Sequence, residues 1–301
     1  MAFVRRPNNF NIFFKWVIIE DYIIIFQPMP QRLGQHFLND KSFLKKIVDA
    51  LNIEKGDFVV EIGPGHGELT KEIRNQSLES KIITIEKDKR MTNLLKENLK
   101  NDKDIEILEG DALKILPTLT ENYQLKAKNY KLVGNIPYYI TGYLFRIIAD
   151  SEPKPKTIVF TIQKEVAERI IALRQAQGKP NMNLLAASVQ FWVKPEIIGY
   201  IPKTAFSPQP KVDSAIIKLT PNDKQETIEN KEKYYHLIKI LFKQPRKTIL
   251  NNISAGFEKT LPTGRQVKSK MEEILQKADI NPSHRPQNLT INQIIALSTL
   301  F

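Results

Sequence analysis

The sequence predicts an α/β protein, a doubly wound and mostly parallel sheet followed by a smaller all-helical region. Three observations carry this expectation. Between Asp57 and Ile162, short apolar runs alternate with segments of helical period. Most of those runs are apolar on both faces, as a parallel sheet covered on both sides requires. After Pro221 the strand pattern stops, and the polar stretch "NDKQETIENKEK" opens a region that reads as short helices.

Taken in order, the first 28 residues stand apart. "NIFFKWVIIEDYIIIF" is apolar, but Lys15, Glu20 and Asp21 interrupt it, and no run reaches the roughly 18 to 20 apolar residues that span a bilayer. No small-residue cleavage site follows, so neither a membrane anchor nor a signal peptide is expected. Met29 directly precedes "PQRLGQHFLND", and residues 1–28 are read as an extension that an alternative start would leave out.

In "DKSFLKKIVDALNI", Phe43, Leu44, Ile47, Val48 and Leu51 share one helical face, with Asp40 as N-cap. "DFVVEI", "KIITIE", "IEILEG", "YKLVGN" and "KTIVFTI" follow as strands. Between them, "DKRMTNLLKENL" aligns Met91, Leu94, Leu95 and Leu99, and "TGYLFRIIAD" aligns Leu144, Phe145 and Ile148. The runs "SVQFWVKPEIIGYI" and "SAIIKLT" are expected to complete the sheet as an antiparallel hairpin. "LRQAQGKPN" and "LPTGRQVK" read as solvated loops. The expected division is therefore 1–28 as extension, 29–221 as the α/β domain and 222–301 as a helical domain. The last segment carries 13 Lys and Arg against 8 Asp and Glu, a modest basic surplus.

Over all 301 residues, 45 Lys and Arg face 33 Asp and Glu, a net charge of +12 that favours a polyanionic partner such as nucleic acid. A solubility charge without a partner is the alternative. The absence of cysteine excludes disulfides, thiolate catalysis and cysteine metal sites, and fits a reducing compartment. The four histidines form no ligand pattern, so no metal is expected.

"VVEIGPGHGELT" sets Gly63, Gly65 and Gly67 between a strand and a helix, where glycine permits a tight turn and close ligand approach. A purely structural turn is the alternative. Glu86 ends the next strand at about the 20-residue spacing of a ribose-binding acid. The spacing G-x-G-x-G argues against a pyrophosphate seated on the helix. Asp111, after the third strand, suits a cofactor ending in adenosine, since a carboxylate accepts from the adenine amine; it could instead cap the next helix.

With "NIPYY" added behind the fourth strand, the set resembles class I S-adenosylmethionine-dependent methyltransferases that modify an exocyclic adenine amine. More narrowly, it is similar to the KsgA (RsmA) family of ribosomal RNA adenine dimethyltransferases. "LGQHFLND", "EIGPGHGELT", "IEKD", "GDAL", "GNIPYYIT", "IQKEVAERI", "FSPQPKVDSAIIKL" and "FKQPRKTILNN" match in order from Leu33 to Asn252. The resemblance implies a Rossmann-like class I methyltransferase sheet with a smaller C-terminal all-α, RNA-binding domain. It implies S-adenosyl-L-methionine as cofactor, with Gly63 and Gly65 against it, Glu86 on its ribose and Asp111 on its adenine. His36 and Leu38 would come from a segment folded over the cofactor, His36 standing where the family more often has Asn. Glu61 is read as orienting the glycine turn, or as a strand-end surface charge.

An adenine amine is a weak nucleophile, and acceptors for both its N–H groups would aim its lone pair at the methyl group. The Asn135 side-chain oxygen can be one acceptor, and the resemblance assigns the other to the Ile136 carbonyl, with Pro137 setting the backbone. Tyr138 is the expected stacking platform for a flipped base, and the resemblance places Phe206 on its other face. Tyr139 has no assigned role, and outside these motifs both tyrosines would read as packing residues.

Lys211, Lys243, Arg246 and Lys247 are the candidate RNA contacts, each with an ordinary solvated charge as its alternative. Pro245 replaces the first of two arginines usual in the family and is expected to bend or start a helix. Met182 and Asn183 stand where the family has Tyr-Gly, a departure that points to altered RNA fit. The implied activity is N6,N6-dimethylation of two adjacent adenosines in small-subunit (16S) ribosomal RNA, by a cytoplasmic monomer acting on the immature small subunit. An Erm-type large-subunit enzyme, a DNA adenine methyltransferase and a mainly non-catalytic ribosome-assembly factor are the competing readings.

Overall fold

The structure is a computed structural model that describes residues 17–19, 22–24, 35–77, 79–123, 130–174, 179–222, 228–257 and 264–301. It separates into two units, Met1–Gln35 and His36–Phe301. In the first, β1 (Val17–Ile19) pairs antiparallel with β2 (Tyr22–Ile24). Among the described residues, no helix is long and apolar enough to cross a membrane.

The second unit opens with β3 (Phe37–Leu38) and α1 (Lys41–Leu51). Asp40 caps α1 by accepting from the Ser42 amide at 2.9 Å. Leu44, Ile47, Val48 and Leu51 are buried, and Phe43 is half-buried beside them. Four βα steps follow: β4 (Phe58–Ile62), α2 (Glu68–Gln76), β5 (Lys81–Glu86), α3 (Lys89–Asn98), β6 (Ile105–Glu109), α4 (Ala112–Asn122), β7 (Tyr130–Asn135) and α5 (Thr141–Asp150). Then come β8 (Thr157–Gln163), α6 (Lys164–Ile171), the short antiparallel pair β9 (Leu173–Arg174) and β10 (Lys179–Pro180), and α7 (Leu184–Gln190). β11 (Val193–Ile201), β12 (Phe206–Ser207) and β13 (Ser214–Pro221) lead to α8 (Ile228–Leu241), α9 (Ile249–Phe257), α10 (Gly264–Lys277) and α11 (Ile291–Ser298).

Seven strands form one sheet in the order β11-β13-β8-β7-β4-β5-β6. The strands from β8 to β6 are parallel, and β13 and β11 close the other edge antiparallel, as the expected hairpin. Alternate residues feed opposite faces, so both faces must be covered. Val59, Ile82, Val133, Val159 and Ile216 pack with α1 and α2, whereas Val60, Ile83, Leu132, Phe160 and Ile217 pack on the other side. Tyr234, Leu237, Ile238, Leu241, Ile249, Ile253 and Leu297 of the helical region share that second core. Tyr234 docks it by stacking on Phe191 at 4.0 Å and donating to the Ala187 carbonyl at 2.8 Å.

Two local expectations are corrected. Ser188–Gln190 end α7 rather than starting a strand, because Asn183 caps that helix through the Ala186 amide. Of "LPTGRQVK", residues 264–268 begin α10 with Val267 buried, and the rest lies outside the described residues. One interior position is unlike its neighbours: Lys131 on β7 is buried, paired with Asp57 at 2.7 Å and donating to the Asn52 carbonyl.

Candidate active site

Strand order reverses between β4 and β7, and in such sheets the crevice beyond the carboxyl ends of these strands receives the ligand. Ile62 and Gly134 are paired neighbours there, so the glycine turn after β4 and "NIPYY" after β7 lie side by side. Gly134 permits this approach, since a Cβ would meet the Ile62 carbonyl oxygen at 2.5 Å. Gly63 lies on the crevice side of the turn, its amide held by the Ile85 carbonyl at 2.9 Å. Gly65 has φ +59°, and a Cβ on it would sit 2.6 Å from the Phe37 ring. Phe37 also packs on His66 at 4.0 Å between ring centroids, roofing the turn.

Three carboxylates surround the turn. Glu86 is buried at the end of β5 and accepts from the Gly65 amide at 3.2 Å and the Asp88 amide at 2.8 Å. Each oxygen keeps a further lone pair for a ligand hydroxyl. Asp111 caps α4 through the Leu113 amide at 3.1 Å and pairs with Lys87 at 2.9 Å. Burial pushes its carboxyl up, but the bonds from Lys87 and Leu113 outweigh that and hold it below the ordinary carboxylate range. Glu61 is fully buried and accepts from the Thr70 hydroxyl at 2.6 Å, linking β4 to α2 rather than lying on the surface. Burial, with repulsion from Glu68 and Glu86, raises its carboxyl to about 8 against the opposing Thr70 bond.

The "HFL" segment is fixed from two sides. β3 pairs with β12, placing Leu38 opposite Phe206 and Phe37 opposite Ser207. His36 bonds the Pro208 carbonyl through Nδ1 at 2.7 Å, which requires that nitrogen to carry the proton. Asn135 donates through Nδ2 to the His36 carbonyl at 2.7 Å. A carbonyl can only accept, so this bond orients the amide and leaves Oδ1 as its acceptor end. A cleft lined by Leu38, Glu61, Gly63, Glu68 and Asn135 lies between these parts.

The Ile136 amide donates to the Thr161 carbonyl at 3.0 Å, and the Pro137 carbonyl accepts from Ile140, closing a short 3-10 turn over Tyr138–Ile140. The Tyr138 hydroxyl lies 3.2 Å from Ser214 Oγ, with its ring 6.2 Å from that of His36. Phe206 is buried with Leu38 in the α1 face core. Tyr139, by contrast, is exposed.

Of the candidate RNA contacts, Lys211 is exposed in the loop after β12, on the His36 side. Lys243, Arg246 and Lys247 are exposed in the α8–α9 loop. Pro245 neither bends nor starts a helix; it sits in this loop, and α9 begins at Ile249. Asn252, which sequence reasoning did not single out, shapes it: buried in α9, it donates to the Gln244 and Thr248 carbonyls and accepts from the Gln244 amide. Phe37, Lys87 and Thr70 were likewise missed, although each lies inside a matched motif. Met182 is buried and Asn183 is a helix cap, while residues 175–178 of that loop lie outside the described residues. No group of three or more His, Asp or Glu is placed to hold a metal among the described residues.

Residues 28–297 match the family model described as ribosomal RNA adenine dimethylase. The chain is 35% identical over 271 residues to ribosomal RNA small subunit methyltransferase A of Bacillus pumilus, covering 89% of each. It is 37% identical to the protein of that name from Ligilactobacillus salivarius, covering 93% of this chain and 92% of the relative. A dimethyladenosine transferase structure from Plasmodium falciparum superposes with a TM-score of 0.69 at 28% identity, covering 87% of this chain and 96% of that one. The 23S rRNA methyltransferase ErmE shares the fold, with a TM-score of 0.68 at 23% identity over 88% of this chain and 98% of that one. By the extent of these matches, the chain belongs to the ribosomal RNA adenine dimethylase family of methyltransferases.

Proposed function

We propose that the chain transfers methyl groups from S-adenosyl-L-methionine to the exocyclic amines of two adjacent adenosines in small-subunit (16S) ribosomal RNA. The observation that carries this reading is the Asn135–His36–Pro208 linkage, which gathers the amide, the "HFL" segment and the loop after Phe206 around one crevice. The relatives named for the small subunit favour that RNA over the large-subunit substrate of an Erm-type enzyme.

The donor set fits the cofactor. Gly63, with φ +68° and little around its Cα, leaves backbone open to a ligand on the cleft side, Glu86 keeps lone pairs for a ribose diol, and ionised Asp111 can accept from an adenine amine. When bound, the cofactor supplies an electrophilic methyl group on a sulfonium, so the chain needs neither nucleophile nor metal. His36 and Leu38 close over it, and Glu61 braces the turn through Thr70.

Asn135 Oδ1 accepts one N–H of the target amine, and the Ile136 carbonyl accepts the other. The Ile136 amide is tied to β8, so this acceptor pair is set before the base arrives. Held this way, the nitrogen lone pair would face the crevice bordered by Gly63, Glu86 and Asp111, where the bound cofactor would supply the methyl group, and the amine proton would pass to water. Tyr138 stacks on the flipped adenine, and Phe206 borders its other face. Lys211 and the Lys243–Lys247 loop contact phosphates, the helical region from residue 222 acting as the RNA-binding part. A monomer in the cytoplasm, working on the immature small subunit, completes the reading.

Incubation with labelled cofactor and undermethylated small subunits, followed by mass-spectrometric mapping, tests it. Two dimethylated adjacent adenosines in small-subunit RNA are expected. Label only in large-subunit RNA or DNA would overturn it, and subunit binding without transfer would leave the assembly-factor reading.

A further inference from the structure

We propose that Tyr139 and Tyr143, with Arg146 beyond them, form an exposed stacking stair for the RNA nucleotides that flank the flipped adenosine. This rests on the reading of the crevice as an RNA adenine methylation site.

The two residues are 44% and 41% exposed, unusual for large aromatics next to a buried core. Ile140 and Thr141 have helical backbone angles, so residues 139 and 143 lie one turn apart on one face. Arg146 continues that face three residues on and is 53% exposed. Consecutive tyrosines diverge here. Tyr138 turns its hydroxyl to Ser214 on β13, while Tyr139 is exposed.

Charge selects the occupant. Arg146 has Asp150 as its acid neighbour at 3.9 Å, but Asp150 is held more closely by Lys231 at 2.6 Å, leaving the guanidinium available to a phosphate. On the crevice side, Lys87 is 55% exposed but is held by Asp111 at 2.9 Å, so Arg146 is the cation the stair offers to a phosphate. Aromatic rings followed by a cation form a surface for a single nucleic-acid strand. One helical turn separates the rings by about 6 Å along the axis, wider than the roughly 3.4 Å step of stacked bases. Only an unstacked strand can place one base on each ring. Extruding the target adenosine creates such a strand, and the stair begins one residue from Tyr138.

The test uses the full chain and undermethylated small subunits, comparing Tyr139→Ala/Tyr143→Ala with the unmodified protein. Stacking contributes about 5- to 150-fold per base, so KM for the subunit is expected to rise at least tenfold. Cofactor Kd and thermal midpoint should stay unchanged, and tryptophan at both positions should restore KM where leucine does not. A KM within twofold of the unmodified chain would overturn the inference. So would equal rescue by leucine, which indicates an apolar protein contact, or a joint loss of stability and cofactor affinity, which indicates packing. If the unmodified chain methylates no small-subunit RNA, the functional reading fails and this inference with it. An active unmodified chain and an equally active double variant sink this inference alone.

Discussion

The side-chain amide of Asn135 donates a 2.7 Å hydrogen bond to the backbone carbonyl of His36, joining positions 99 residues apart. One residue thus holds the segment that borders the cleft and, in the proposed reaction, presents an acceptor to the substrate amine. Asn135→Ala should lower kcat by about a hundredfold or more, the scale seen when a preorganised transition-state contact is removed. Cofactor Kd should rise by less than about tenfold, the worth of one neutral hydrogen bond. Isothermal titration beside single-turnover kinetics separates the two effects, and a kcat near that of the unmodified chain would remove Asn135 from the chemistry.

Glu61 should make stability depend on pH. Its folded carboxyl is raised to about 8 from an ordinary value of 4.5, so between these values the native state binds the extra proton. Its contribution is fully present below about pH 4.5 and is lost as pH rises toward 8. Glu61→Gln keeps an acceptor for Thr70 without that proton linkage. The variant should gain a few kcal/mol relative to the unmodified chain between pH 5 and 8, read by urea unfolding across that range. A difference that does not vary with pH would show Glu61 to be ionised.

The Lys131–Asp57 pair is buried on both sides at 2.7 Å. Asp57→Leu strands the ammonium and should cost about 3–5 kcal/mol, whereas Asp57→Leu together with Lys131→Met should cost much less. A double-mutant cycle by chemical denaturation measures the coupling, and an additive cycle would mean that the two charges do not support each other.

Gly134→Ala places a methyl group 2.5 Å from the Ile62 carbonyl oxygen, between the two strands that flank the crevice. A loss of about 1–3 kcal/mol is expected from overpacking, with a lower melting temperature. Because the strain falls between the cofactor turn and the amide turn, kcat should fall with it.

The proposed phosphate contacts of the α8–α9 loop can be tested apart from the chemistry. Lys243→Gln, Arg246→Gln and Lys247→Gln together should reduce the salt dependence of RNA binding by about 0.7–0.9 per phosphate contact removed. Methyl transfer at saturating RNA should persist. An unchanged salt slope would place the phosphate contacts elsewhere.

Much of the fold is legible in the sequence because sheet strands and helices advertise their buried faces locally. The alternation of "DFVVEI", "KIITIE" and "YKLVGN" with amphipathic helices suffices for the parallel sheet, and Asp40 marks a helix start by its own chemistry. Lys131 breaks that code, since its partner Asp57 lies in another segment. Val267 and Ser188–Gln190 were misread for a related reason: packing and an Asn183 cap decided them over local polarity.

The sequence by itself determined the motifs and their order: a glycine turn, spaced acids and an amide-proline-tyrosine turn. Only the tertiary structure decided that His36 bridges Asn135 and Pro208, that Leu38 lies opposite Phe206, and that Tyr139 faces solvent while Tyr138 turns inward. The physical reason is range. Turn geometry and periodicity act over a few residues, whereas a hydrogen bond across 172 positions exists only once the sheet has brought its ends together.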